Sequence, residues 1–485
     1  MDIFLFVGVP QEILESYAWI TGTPPEVPRW SYGVWWSRCY YRNADEVMQT
    51  ARELRARKIP GDVVVLDGRA WLDTQTRCAL EWDLSRYPDP GKFVAEIKKL
   101  GFRVCLWEYP YISVHNPIFK ELAGKGYFLR NKEGDPYIFE WDPEPFGGLL
   151  TPLPPSGILD FTQEEVVRWW QGLHRNLFAL GVDVMKTDFG EQVPEDAWGA
   201  HGHSGKHLHN AYALLYNKAV YECTPARMVF ARSGFAGSQR YPVHWGGDPQ
   251  ADWEGLAASI RGGLSWGLSG GAYYAHDVGG FYGMPDVELY IRWMQAAVFF
   301  SHIRFHGTSP REPYHFGDVA ESLARSWLRL RMALIPYLQS LAKEASATGL
   351  PLARALPLVT PQDPCSWSFD TQFLLGSSLL IAPVTRPGGE VRVYLPRGRW
   401  YDLWEGTVYE GPDLVSLTCP LERIPIFLRE GGVLPWGTPA DRAEDVRLEG
   451  YVVAGEGRPL RENSKVLRVP EDFTLARAFL DTSGV

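Results

Sequence analysis

From Trp30 to about Ala342 the chain alternates short runs of β-branched and aromatic residues with longer segments whose apolar positions recur at spacings of three and four. That alternation predicts repeated strand–helix units carrying a parallel sheet. The strand-like runs are Trp30–Ser37, Asp62–Gly68, Arg103–Ile112, Val182–Glu191, Met228–Ser233, Val243–Asp248, Gly271–Gly280 and Phe299–Gly307. Helices are predicted over Ala44–Arg57, Gly91–Leu100, Gln163–Leu180, Leu208–Tyr221 and Val287–Ala297. In the first of them Val47, Ala51 and Leu54 share one face, opposite Asp45, Gln49 and Arg52. Eight strands with crossover helices over this length predict an α/β fold, a (β/α)8 TIM barrel, with a doubly wound open sheet as the alternative. The aromatic, Pro- and Gly-rich stretch 113–161 reads as an insertion after the third strand that covers the barrel mouth.

After Ala342 the pattern changes to short alternating strands separated by turns, in Gln372–Val384, Glu390–Leu395, Arg399–Trp404 and Ile424–Arg429, which predicts a C-terminal β-sandwich. Beyond Trp436 three more strands are expected, Tyr451–Ala454, Val466–Val469 and Thr474–Leu480, too few for an independent sheet. The expected organisation is therefore a barrel over 27–342, a proximal β-sandwich over 343–435 and a partial distal β domain over 436–485.

Composition removes several function classes. The chain has 485 residues, with 48 Lys and Arg against 58 Asp and Glu for a formal charge of -10, and no basic run able to neutralise a phosphate backbone. Nucleic acid is not an expected partner. No apolar run approaches the roughly 18 residues needed to cross a bilayer, so no membrane association is expected. Met1–Val9 lacks the basic start and small-residue cleavage pattern of a secretory signal, and a soluble, cytoplasmic protein is expected. The 6 cysteines show no CxxC spacing and suggest neither a zinc ribbon nor a disulfide framework. The 20 Trp, 23 Tyr and 23 Phe provide flat rings with polar handles, which suit sugar faces as well as an aromatic core.

In a barrel of this kind the reactive groups stand at the carboxyl ends of the strands. Four aspartates close predicted strands: Asp67, Asp188, Asp248 and Asp277. Each alone reads equally well as a helix cap, but four converging on one end point to chemistry. Glycoside cleavage needs two opposed carboxylates, one attacking or stabilising an oxocarbenium-like centre and one delivering a proton to the leaving oxygen. Lys186 and Arg232 are candidate cations for keeping Asp188 ionised, whereas Asp248, behind Trp245 and two glycines, has a closely approached apolar setting suited to an acid. His302 and His306 lie in the eighth run, where an imidazole could hydrogen-bond a sugar hydroxyl. His201, His203, His207 and His209 sit in a Gly-containing stretch with no HExxH-type face, so no metal ligands are assigned there. The GLSGG at Gly267–Gly271 lacks the Lys and Ser or Thr of a phosphate loop.

The segments KTDFGE (Lys186–Glu191), FARS (Phe230–Ser233), HWGGD (His244–Asp248), HDVGGF (His276–Phe281) and RFHG (Arg304–Gly307) together resemble glycoside hydrolase family 31, the retaining α-glycosidases. The resemblance implies that Asp188 is the nucleophile and Asp248 the acid/base. It further implies that Asp67, Trp107, Lys186, Arg232, Trp245, Asp277 and His306 line the subsite for the non-reducing sugar, and that no cofactor takes part. KTDFGE and HWGGD look most like the α-xylosidase branch. Gly68 and Arg69 stand where that branch usually places bulkier residues, so Arg69 is expected in the sugar site and α-glucosides are expected to be accepted beside α-xylosides. Family members usually begin with a β-sandwich, and residues 1–26 look like its final strand followed by a linker helix, leaving either a natural short form or a fragment. The expected partner is a small oligosaccharide or α-glycoside, and a homo-oligomer is left open. Two other readings are carried beside this one: a metal-dependent barrel enzyme with an acidic mouth, and a weakly catalytic sugar-binding short form.

Overall fold

The computed structural model describes residues 3–73, 80–140, 153–461 and 464–478. After α1 (Pro10–Thr21) the alternation begins with β1 (Val34–Arg38), α2 (Ala44–Ala56), β2 (Val63–Leu66), α3 (Gly68–Trp71), α4 (Pro90–Lys99) and β3 (Arg103–Glu108). The insertion contributes β4 (Tyr111–Ser113), α5 (Phe119–Gly124), β5 (Ile138–Phe139) and β6 (Ser156–Ile158), a small sheet ordered β4-β6-β5. Residues 141–152 of the insertion lie outside the described residues, as does Cys78. The alternation resumes with α6 (Glu164–Ala179), β7 (Val184–Thr187), α7 (Gly205–Cys223), β8 (Phe230–Ala231), β9 (His244–Trp245) and α8 (Trp253–Leu268). It ends with β10 (Tyr274–Ala275), β11 (Asp277–Val278), α9 (Val287–Ala297), β12 (Ile303–Phe305), α10 (Asp318–Ala333) and α11 (Ile335–Thr348). Four of these helices start on an aspartate whose side chain accepts a first-turn amide: Asp67 from Gly68, Asp89 from Lys92, Asp252 from Gly255 and Asp286 from Leu289.

The chain divides into two compact units. The smaller comprises Arg38–Arg52 and Val64–His244 and carries the strand run β2-β3-β7-β8. The larger comprises Met1–Ser37, Glu53–Val63 and Trp245–Val485 and carries the parallel run β1-β12-β11. Strands β1 to β3 and β7 to β12 make a nine-stranded, nearly closed barrel sheet, the expected (β/α)8 class. Within the larger unit a six-stranded antiparallel sheet follows, from β13 (Ala353–Ala355), through α12 (Leu356–Val359), β14 (Phe373–Leu375), β15 (Leu379–Ile381), β16 (Glu390–Asp402) and β17 (Val408–Thr418), to β18 (Ile426–Arg429). Leu374, Leu380, Val393, Leu395, Trp400 and Phe427 form its buried core. A three-stranded sheet of β19 (Val433–Gly437), β20 (Leu448–Ala454) and β21 (Val466–Val469) completes the described fold.

All eight predicted runs contain barrel strands, and the differences are local. The first opens with a 3-10 turn at Arg29–Tyr32. The third splits, because Tyr111 and Ile112 pair with Ile158 and Gly157 in the insertion sheet rather than with the barrel. The segments Glu390–Leu395 and Arg399–Trp404 belong to one bent strand whose register shifts between Leu395 and Gly398. The strand expected over Thr474–Leu480 is not found: residues 475–478 are helical, and 479–480 lie outside the described residues.

One buried cation fastens the larger unit. Arg331 on α10, fully buried and with no ion pair among the described residues, donates Nε–H to the Tyr32 carbonyl at 2.8 Å and Nη1–H to the Val298 carbonyl at 2.8 Å. It also donates to the carbonyls of Phe300 and Ser301. Burial lowers its pKa to about 9, which still leaves it charged at neutral pH. Its fork thereby satisfies carbonyls at the end of α9 and in the turn before β12 that no ladder reaches. Arg331→Met keeps the apolar stem but strands those carbonyls, and should cost on the order of 3 kcal/mol or more in chemical denaturation; an unchanged midpoint would show that water or a neighbour replaces the guanidinium.

Candidate active site

In the smaller unit the carboxyl ends of four neighbouring strands bring five charged groups and one indole together. Parallel register sets Trp107 beside Lys186 and Lys186 beside Phe230, so Trp107 and Lys186 present side chains to the same face of the sheet. Asp188 and Arg232 stand just past the ends of β7 and β8, and Asp67 just past β2. Both Asp188 oxygens are occupied. Oδ1 accepts the Phe189 amide at 2.8 Å and lies 2.9 Å from Arg232 Nη1; Oδ2 accepts Trp107 Nε1–H at 2.6 Å and lies 3.6 Å from Lys186 Nζ. Burial alone would push this carboxyl up, but Arg232, then Lys186, then the Trp107 and Phe189 donors outweigh it and hold Asp188 below its ordinary value.

The two cations are shared. Lys186 Nζ also donates to Asp67 Oδ2 at 2.7 Å, and Arg232 Nη2 pairs with Glu191. Asp67 accepts the Gly68 amide at 3.0 Å through its other oxygen, so it is cap and ion partner at once. The turn that follows Asp188 is left-handed at two successive residues, Phe189 at φ 58° and Gly190 at φ 91°. For Phe189 that conformation is unfavourable, and it is held by the amide bond to Asp188, by the Arg232 guanidinium 4.3 Å over its ring, and by Ser233 Oγ–H donating to its carbonyl at 2.6 Å.

Arg69 lies half-buried on α3 with Nη1 3.8 Å from Cys39 Sγ. A Cβ at Gly68 would meet the Trp107 ring at 2.6 Å, so the space over this glycine is filled by the same indole that holds Asp188.

In the larger unit Asp277 opens β11 opposite Arg304 of β12, and the Arg304 Nε–H donates to Asp277 Oδ1 at 3.0 Å with both side chains fully buried. The same guanidinium stands 4.8 Å over the Trp245 ring. His306 is buried past β12, its Nδ1 2.7 Å from Ser37 Oγ and its ring beside Phe281. Asp248 lies past β9 behind Gly246, where a Cβ would strike the Tyr274 hydroxyl at 2.1 Å, and Gly247 at φ 84°. Asp248 is half-exposed, a more open setting than its apolar neighbours in sequence suggest.

His302 is a core residue, hydrogen-bonded to Ser31 Oγ and Ser301 Oγ and kept neutral by burial. His207 contacts Ser204 Oγ and His209 the Val193 carbonyl, and among the described residues no group of three or more His, Cys, Asp or Glu could hold a metal ion. Two site residues were missed from sequence, Glu191 and Arg304. Both sit inside charged motifs, and matching each aspartate to an opposite charge on the neighbouring strand end would have found them. No described helix is long and apolar enough to cross a membrane.

Residues 24–341 match the model of the Glycosyl hydrolases family 31 TIM-barrel domain, and residues 349–434 match the Glycosyl hydrolase family 31 C-terminal domain. An α-xylosidase of Emericella nidulans is 35% identical over 94% of this chain and 60% of its own length. Alpha-glucosidase 2 of Bacillus thermoamyloliquefaciens is 32% identical over 90% of this chain and 57% of its own. The solved structure of a Flavobacterium johnsoniae dextranase complexed with glucose superposes with a TM-score of 0.84 at 30% identity, covering 93% of this chain and 57% of that one. The chain thus spans 57–60% of the length of these relatives.

The shared cations make the cluster sensitive to charge number. Lys186→Met leaves Asp67 and Asp188 buried with one cation fewer and should lower stability by about 3–5 kcal/mol. Adding Asp67→Asn, which removes the surplus negative charge, should restore a measurable part of that loss in urea titrations; a double variant no more stable than the single would mean that the lysine acts by packing alone.

Proposed function

Because the chain belongs to glycosyl hydrolase family 31, we propose that it is a retaining α-glycosidase that removes a terminal, non-reducing α-linked xylose or glucose. The observation that carries this reading is the Asp188 carboxylate, buried yet held ionised by Arg232 and Lys186 with an indole donor on one oxygen. In the first step Asp188 attacks the anomeric carbon as the glycosidic bond breaks, and Asp248 gives its proton to the departing oxygen. In the second, Asp248 takes a proton from water, the water oxygen attacks the same carbon, and the ester to Asp188 breaks. The sugar leaves with its original anomeric configuration, Asp188 is again a carboxylate and Asp248 again an acid. The partial exposure of Asp248 supports this role, since an acid that gives and recovers a proton each cycle needs access to water.

In this proposal Asp67, Arg69, Trp107, Lys186, Arg232, Trp245, Asp277 and His306 hold the sugar. The Asp67–Lys186 and Asp277–Arg304 pairs offer fixed acceptors and donors for hydroxyls. The Arg69 guanidinium, anchored near Cys39, supplies a polar partner for a C6 hydroxyl. Relatives named as an α-xylosidase and an α-glucosidase at 35% and 32% identity support admitting both sugars.

Asp188→Asn should lower turnover of aryl α-glycosides by several orders of magnitude while leaving sugar binding largely intact, and a 5-fluoro glycosyl fluoride should label Asp188 in the parent; peptide mapping that finds the label elsewhere overturns the assignment. Because Asp188 is held below the ordinary carboxylate value of about 3.9, the acid limb of kcat/KM should lie below that pH. Trp107→Phe removes a donor to the ionised form, so the limb should move upward; an unmoved limb would assign it to another group. Arg69→Phe should raise the ratio of xyloside to glucoside kcat/KM, by a factor corresponding to about 1–3 kcal/mol, and a constant ratio would place the selective contact elsewhere.

A further inference from the structure

Beneath the nucleophile turn lies a pair of titratable groups that the mechanism does not use. Glu108, the last residue of β3, and His174 of α6 are both completely buried, with His174 Nε2 2.5 Å from Glu108 Oε2. His174 Nδ1 is 2.8 Å from the Trp170 carbonyl, which can only accept, so Nδ1 carries a proton. One further proton is shared between Nε2 and Oε2. Whether it rests on the imidazole or on the carboxyl, the pair as a whole is neutral. Tyr216 of α7 donates its hydroxyl to Glu108 Oε1 at 3.3 Å, and its ring runs on to Gly190, where a Cβ would come within 3.1 Å of it. The backbone carbonyl of Glu108 accepts the amide of Asp188 at 2.9 Å. One residue is thus tied through its backbone to the nucleophile and through its side chain to the two helices behind it.

We propose that Glu108 and His174 are positioning residues for Asp188, a net-neutral, proton-sharing pair that fixes the end of β3 and the left-handed turn after β7 without adding charge beside the nucleophile. Tyr216 and Cys223 of α7, two further titratable groups that face Glu108, are each kept un-ionised by burial first and by Glu108 second. The nucleophile's ionisation is then left to Arg232 and Lys186. A second chain of bonds braces the same turn from α7: Thr187 Oγ1–H donates to Asn217 Oδ1 at 2.7 Å, and Asn217 Nδ2–H donates to the Ser233 carbonyl at 2.9 Å.

The inference rests on Asp188 being the nucleophile, and the test keeps the two claims apart by using labelling of Asp188 by a 5-fluoro glycosyl fluoride as a separate readout. If the parent is not labelled at Asp188, the functional reading fails, whatever the variants do. With labelling in place, His174→Phe should lower kcat by at least about tenfold with KM held within about twofold. Glu108→Gln preserves every bond with a neutral imidazole, so it should keep kcat within about threefold. Should His174→Phe not fold, Glu108→Ala carries the test: a kcat loss with KM held supports positioning. Parental kcat in His174→Phe or Glu108→Ala, or a Glu108→Gln variant as impaired as His174→Phe, would overturn the proposal.

Discussion

A carboxylate can be buried and still ionised only if nearby positive charge and hydrogen-bond donors offset its lost hydration, and around Asp188 that condition shapes everything else. Lys186 and Arg232 supply the charge, but each also answers a second carboxylate, Asp67 and Glu191. Two cations among three acids leave Asp188 ionised without cancelling its negative charge. A carboxylate saturated by dedicated cations would be a poor nucleophile; one with none would be protonated.

The barrel delivers this arrangement through backbone geometry. Parallel register sets Trp107 and Lys186 side by side, and the turn after β7 swings the Asp188 carboxylate back onto its own following amide. Phe189 is held left-handed by contacts on three sides, from the Asp188 carboxylate, the Arg232 guanidinium and the Ser233 hydroxyl. That conformation costs of order 1 kcal/mol or more and persists only where the surroundings over-determine it, which is a common condition of functional turns.

Much of this was legible in the sequence, because strand alternation and strand-end aspartates are local signals. The eight runs, Asp67, Asp188 and the cations Lys186 and Arg232 followed from spacing and charge, whereas Trp107 came only with the family resemblance. What escaped was set by partners distant in sequence. Tyr111 left the barrel because its pairing partner, Ile158, lies across the insertion. The space above Gly68 belongs to Trp107, a filling that no local pattern reveals. Glu108 lay inside the predicted run Arg103–Ile112 with no role assigned to it, and only the fold brings His174 to it. Glycosyl hydrolase family 31 motifs mark the chemistry, but they do not mark the supports beneath it.

If Asp188 forms and then loses a covalent bond to the sugar, two inversions leave the anomeric configuration as it began. Proton NMR of an aryl α-glycoside mixed with the enzyme, recorded before mutarotation, tests it directly. The α-anomer of the free sugar should accumulate first, with the β-anomer growing in only by mutarotation. First appearance of the β-anomer would contradict it, because a single displacement by water would then be the reaction and Asp188 would be a base rather than a nucleophile.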